Sequence, residues 1–222
     1  MENFKRKEGV MASSWIYDTL RQELVNGRFT AGEKLGINVL KEHYGVGLSP
    51  LREALNRLAA YGLLVQENQR GFRVPRLVRD ELDDIVNMRR ELECMALERA
   101  IKLGDAEWES ELLAAAHRLK RADETPELSD EWEAIHVRFH RTLVAPCRSA
   151  WLLRFIEQLH DQFDRYRRLA PSLPEIRKVL DAHHSELVEL ALARDARGAR
   201  KLMDEHIQRS YEIALGSFSV PK

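Results

Sequence analysis

Four of the chain's eight histidines fall on apolar helical stripes. His136 and His140 lie one turn apart, in line with Trp132, Phe139 and Leu143. His184 continues the stripe Leu180, Leu187, Val188 and Ala191, and His206 continues Leu202, Met203, Ser210 and Ile213. Helical spacing turns these side chains inward from three separate helices. A single inward imidazole finds one hydrogen-bond partner, but four converging rings cannot all donate to one another and stay buried at low cost. A divalent cation, zinc or nickel before iron-type ions, resolves that conflict, because neutral imidazole is a good ligand for such metals. The His136/His140 spacing sets two ring nitrogens on one helical face, as bundle metal sites require. The competing reading is a polar pocket without metal. His43, His117, His160 and His183 fall off the stripes or at their margins.

Arg89 is a second inward polar group, on the stripe Leu82, Ile85, Leu92 and Ala96. A buried guanidinium demands an anion. Glu93, one turn on, is the ordinary partner; a ligand carboxylate held bidentately is the functional one. A metal beside an arginine suits a small carboxylate or hydroxy acid bridging both. Arg165 and Tyr166 are read as further donors to that ligand, against the alternative of surface charge.

A different chemistry is suggested nearer the N-terminus. Residues 1–79 carry 13 Lys and Arg against 8 Asp and Glu, whereas 80–222 carry 22 against 28, so a basic part precedes an acidic one. Leu40 to Leu58 reads as a helix, a tight Gly45 turn and a second helix with Ser49 as N-cap and Pro50 at its first position. Leu51, Leu55 and Leu58 form its apolar stripe, and Arg52 and Arg57 lie off it. An exposed guanidinium there grips guanine or phosphate, unless it merely pairs with Glu53 or Glu23. Arg70, beside Gly71 at a hairpin tip, is placed to enter a minor groove.

The elements that must position these groups follow from pattern and punctuation. Helices are expected near 14–26, 39–44 and 49–61, then strands at 63–67 and 71–75. That is a winged helix-turn-helix over 14–75, after a flexible stretch 1–13. Beyond a linker at 76–79 the patterns are helical throughout, near 80–103, 106–122, 129–145, 149–169, 174–193 and 195–215. They form an all-α six-helix bundle over 80–215, with a tail at 216–222. No apolar run spans a bilayer and no secretory pattern opens the chain, so no membrane partner is expected. Cys94 and Cys147 read as reduced buried thiols of a cytoplasmic, nucleoid-associated protein.

On these residues the stretch Tyr17–Pro75 resembles the GntR regulators. Their "G-x-x-x-P-G-x-x-L", "V-S-R-x-P-V-R-E-A-L" and "R-G-x-x-V" patterns appear as Gly27 to Leu35, Val46 to Leu55 and Arg70 to Val74. The usual Pro is Ala31, and the usual Ser-Arg pair is Gly47-Leu48. The resemblance implies DNA contacts from Asn38, Leu48, Ser49, Pro50, Arg52, Arg57, Arg70 and Gly71. Asp80 to Leu215 resembles the FCD effector domain of the FadR subfamily, through Val137-Arg-Phe-His140 and Arg89-Arg-Glu-Leu-Glu93. It implies a metal at His136, His140, His184 and His206, with His136 where the family has Asp, and a ligand carboxylate on Arg89. A narrower likeness, to the carbon-starvation-induced CsiR group, rests on Gly104–Glu109, Trp151–Phe155 and Arg165–Leu169. It implies a dicarboxylate such as glutarate.

The expected function is a homodimeric repressor on a palindromic duplex operator, released by a small carboxylate. Two alternatives stand beside it. A metal-dependent hydrolase or oxygenase fused to a DNA-binding module would need a general base, and none is spaced as in HExxH near His136 and His140. A metal-free acyl-CoA sensor would leave the four histidines without a role.

Overall fold

Leu51, Ala54, Leu55 and Leu58 recur at helical spacing, and none shows surface to solvent. They form the inner face of a helix, and Ile16, Leu20 and Leu24 meet them from another. The computed structural model describes residues 11–67, 71–124, 130–171 and 173–219. Its N-terminal part runs α1 (Ala12–Val25), β1 (Lys34–Leu35), α2 (Ile37–Tyr44), α3 (Leu48–Ala60), β2 (Val65–Glu67) and β3 (Gly71–Arg73). These share one core with Leu35, Leu63, Phe72 and Val74.

The sheet has the order β1-β3-β2, both pairs antiparallel. Lys34 and Val65 both lie opposite Arg73. β1 was not expected from the sequence; two residues are too few to show alternation, and only the pairing with β3 reveals it. Gly45 closes α2 at φ 62°, a left-handed conformation that any side chain would strain. The N-cap of α3 is Gly47, with no side-chain cap, so the expectation of Ser49 as N-cap is corrected. Ser49 and Pro50 occupy the first turn, where the missing proline N–H costs nothing.

Six long helices follow: α4 (Arg79–Leu103), α5 (Ala106–Asp123), α6 (Asp130–Val144), α7 (Ala150–Arg167), α8 (Pro174–Leu192) and α9 (Ala196–Leu215). The expected fold class, a winged helix-turn-helix followed by an all-helical bundle, is the one observed. The breaks read from sequence carry caps: Asp105 accepts from Trp108 N at 3.0 Å, and Asp195 from Gly198 N at 2.9 Å. α4 packs between α7 and α9, and its buried face (Leu82, Ile85, Val86, Ala96, Leu97) joins a second core with Phe139, Phe163, Leu187 and Met203. Among the described residues no helix is long and apolar enough to cross a membrane. Cys94 and Cys147 are buried and unpaired with each other.

The two parts meet along α7. Arg21 of α1 reaches Asp161 and, at 3.0 Å, Glu157. Gln158 donates to the Tyr61 carbonyl at 2.9 Å, just past the end of α3, and Arg165 donates to the Pro75 carbonyl at 2.9 Å. The side chains of Arg21 and Asp161 keep 26% and 13% of their exposure, so the pair is largely desolvated and removing one partner leaves a poorly solvated charge. Arg21→Ala leaves Asp161 without its cation and is expected to cost about 1–3 kcal/mol. Urea denaturation should show a lower midpoint, with faster proteolysis between 74 and 78. An unchanged midpoint and cleavage rate would remove Arg21 from the junction.

Candidate metal centre and DNA-reading surface

The turn–helix unit presents its polar residues outward, as a surface that meets a long polyanion must. Asn38, Leu48, Ser49, Arg52 and Arg57 are exposed, and Pro50 is half-buried. Arg52 makes no ion pair among the described residues. Glu23, the partner the sequence offered it, is buried instead and takes the Tyr44 hydroxyl and Arg28. Arg57 lies over the Tyr17 ring at 4.1 Å, which holds its guanidinium against α1. Gly71 opens β3 at φ 97°, again a glycine conformation. Arg70 lies outside the described residues. Arg73, which sequence reasoning passed over, donates to Glu67 and to the Gly32 carbonyl and so ties the wing to the turn before β1.

Inside the bundle, α6, α8 and α9 bring His136, His140, His184 and His206 together. One nitrogen from each falls within 4.8 Å of the other three. His136 Nε2 and His140 Nε2 are 3.1 Å apart, and the His184 and His206 ring centres are 4.8 Å apart. With metal–nitrogen bonds of about 2.0–2.1 Å, a 3.1 Å separation subtends about 100°, between tetrahedral and octahedral values. His140, His184 and His206 are at most 5% exposed, and His136 is half-buried.

Burial pushes the imidazolium forms of His136, His140 and His206 far down, and that of His184 down to about 3. All four rings are therefore neutral near pH 7, the form that coordinates. The buried His140 Nδ1, His206 Nδ1 and both His184 nitrogens find no hydrogen-bond partner. A well-packed interior rarely leaves so many polar atoms unsatisfied. A divalent ion fits this donor set and would satisfy one nitrogen of each ring.

Around the rings lie charged groups from α4, α5, α6, α7 and α8. Arg89 donates to Glu93 at 2.7 Å, and Glu93 also meets His160 Nε2 at 2.9 Å. Burial raises the Glu93 carboxyl, but Arg89 and His160 outweigh it and hold it at about 2. The sequence alternatives for Arg89 are thus both in play. Its Nε is committed to Glu93, while its buried Nη1 has no partner. Arg167 bridges Glu133 and Asp164. Asp123 and Asp181 each bring a carboxylate oxygen within 4.8 Å of a His184 nitrogen, near Arg177.

A space of about 20 Å³, the size of an ion or water, is lined by Arg89, His136, His140, His160 and His206. Two larger spaces adjoin it. A chamber of about 200 Å³ shares His136, Arg167 and Ser210 with it and is walled by Trp132, Leu180 and Ile213. A cleft of about 800 Å³ between α1 and helices α6 and α7 shares His140, His160 and Asp164.

Arg165 and Tyr166 line none of these spaces. Arg165 holds Gln162 and the Pro75 carbonyl, and the Tyr166 hydroxyl holds Glu81 and Val78. They leave α7 on the side facing the junction, whereas His160, Phe163 and Asp164 leave it toward the histidines. His160 is the residue that sequence reasoning missed, whereas Glu93 is the partner the sequence offered Arg89. The available signal was spacing: His160 stands four residues after buried Ile156 and three before buried Phe163.

Two family models match the chain. "Bacterial regulatory proteins, gntR family" covers residues 12–74, and "FCD domain" covers residues 84–209. The chain is 37% identical over 202 residues to an HTH-type transcriptional regulator, BphR, of Paraburkholderia xenovorans, covering 89% of this chain and 82% of that one. It is also 37% identical over 198 residues to the HTH-type transcriptional repressor GlaR of Escherichia coli, covering 86% of this chain and 90% of the relative. Among solved structures, E. coli McbR/YncC superposes with a TM-score of 0.80 at 26% identity, over 94% of this chain and 99% of that one.

His140 has the centre's shortest nitrogen–nitrogen approach and almost no exposure, so its removal opens the donor set most directly. Protein loaded with zinc or nickel and then desalted is expected to retain metal, and His140→Ala to lose it at unchanged helical content. Elemental analysis with circular dichroism reads this out. Full retention by the variant would count against the four-histidine site.

Proposed function

The chain belongs to the gntR family of bacterial regulatory proteins and carries an FCD domain, so it is a DNA-binding transcriptional regulator and not an enzyme; on that footing we propose that it is a repressor released by a small carboxylic acid held at the histidine centre. The observation that carries the effector reading is the buried, unpartnered Nη1 of Arg89, a residue that lines one small space with His136, His140 and His206. A carboxylate is the simplest group that satisfies both. His136, His140, His184 and His206 would hold zinc or nickel, which supplies an acceptor for a carboxylate oxygen. The body of the acid has the 200 Å³ chamber, with Trp132, Leu180 and Ile213 as apolar wall. A dicarboxylate such as glutarate is the candidate drawn from the narrower likeness in sequence. That GlaR is a transcriptional repressor supports the sign of the response.

DNA reading falls to α3, with Arg52 facing a base edge or phosphate and the wing alongside. A two-fold dimer would present two such helices to successive half-sites of a palindrome. The exposed apolar side chains Met88 and Met95 on α4, and Trp151 and Phe155 on α7, are surface that a second copy would cover. Transmission would run through α7. An occupant that draws His160 and Asp164 shifts the same helix that holds Arg21 and Tyr61, and it biases the DNA-binding units if it prefers one arrangement.

Selection of genomic fragments by the purified protein, followed by titration with glutarate and related acids, tests this reading. Fragment release without consumption of the acid is expected; turnover, or release by none of the acids, would sink it. Arg52→Ala should weaken binding to the selected fragment by about tenfold to a hundredfold at matched salt, the worth of one bidentate base contact. Unchanged affinity would take Arg52 out of the interface.

A further inference from the structure

The turn between α2 and α3 offers solvent very little side chain. Gly45 and Gly47 carry none, and Tyr44 and Val46 are buried in the core. A Cβ on Gly45 would meet nothing within 4 Å, so the space in front of the turn is open. Leu48, the first residue of α3, is therefore the first side chain to stand out from it, and it is 44% exposed. Single exposed leucines are common on protein surfaces, and what sets this one apart is its position. It lies one helical turn before Arg52, so the two share a face. Both are exposed. The first turn of α3 has neither a side-chain cap nor an acidic residue, which leaves the positive end of the helix open to phosphate.

A leucine side chain has no hydrogen-bonding atoms. Base pairs show donors, acceptors and the thymine C5-methyl group in the major groove, and only the methyl offers leucine a favourable contact. We propose that Leu48 reads a thymine methyl in the operator. This rests on the assignment of DNA reading to α3 and names what one of its residues recognises. Four residues of helix rise about 6 Å, or about two base-pair steps. The thymine accordingly lies within about two base pairs of the group that Arg52 grips. Discrimination comes from exclusion as well as attraction. A G·C pair at that step would set the leucine against donors and acceptors that lose water without gaining a partner.

The test uses the full chain and a duplex that it selects from a random-sequence pool. Each thymine of that duplex is replaced in turn by uracil, which keeps the hydrogen-bonding edge and lacks only the methyl. At least one replacement is expected to weaken binding by about three- to tenfold at matched salt, the worth of one buried methyl. Leu48→Ala should bind the unmodified duplex weaker by about the same factor, with the same dependence on salt, and should be indifferent to that uracil. No uracil effect at any position, in a chain that selects a sequence and loses affinity on Arg52→Ala, would overturn the methyl contact and leave the DNA-reading role of α3 standing. A uracil effect undiminished in Leu48→Ala would also overturn it, because another residue would then be the reader. Failure to select any sequence would remove the DNA reading itself and the contact with it. The uracil scan of the native chain needs no variant, so misfolding of Leu48→Ala would not blunt it.

Discussion

Desolvation of imidazole is the constraint on which the bundle depends. Three of the four converging histidines are at most 5% exposed, and several of their nitrogens lack any hydrogen bond within the protein. Each such atom carries a penalty that the surrounding apolar packing must outweigh. Phe139, Leu187 and Met203 supply that packing from the same three helices. The rings are brought together by the core, and the same burial keeps them neutral, the form that a metal would require. Structural cost and ligand-binding capacity are here two aspects of one arrangement.

The charged groups around the centre are ordered by the same economy of water. Glu93 lies between Arg89 and His160, and Arg167 between Glu133 and Asp164, so that nearly every buried charge has an opposite neighbour. Arg89 Nη1 and Arg177 Nη2 are buried without a hydrogen-bond partner among the described residues, and Arg89 lines the central space. α7 makes this arrangement consequential. One of its faces carries His160, Phe163 and Asp164 toward the histidines, and the other carries Glu157, Gln158 and Asp161 toward α1 and the end of α3. A rigid helix with two such faces links the centre to the DNA-binding unit without a long chain of intermediates.

The N-terminal unit has a separate core, built on Ile16, Leu20, Leu55, Leu58 and Phe72. Its exposed residues lie on elements packed into that core, and α7 of the bundle contacts α1 and the end of α3. Gly62, at φ 87° just past α3, shows how close that contact is: a side chain there would meet Gln162 Nε2 at 3.0 Å. The bundle and the DNA-binding unit are in direct contact at this joint.

The sequence alone determined the parts whose signal is periodic or local. Stripes such as Leu51–Leu55–Leu58 and caps such as Asp105 are set by neighbours three or four residues away, so helices and their ends were legible. The inward aim of His136, His140, His184 and His206 was legible for the same reason. Their meeting at one point, the role of His160 and the commitment of Arg165 and Tyr166 to the junction were decided only by tertiary structure. Periodicity says which face of a helix is buried, but not which neighbour covers it. His160 and Arg165 share one helix, yet one meets α4 and the other the interdomain segment. That distinction exists only once α7 is packed between the two parts of the chain.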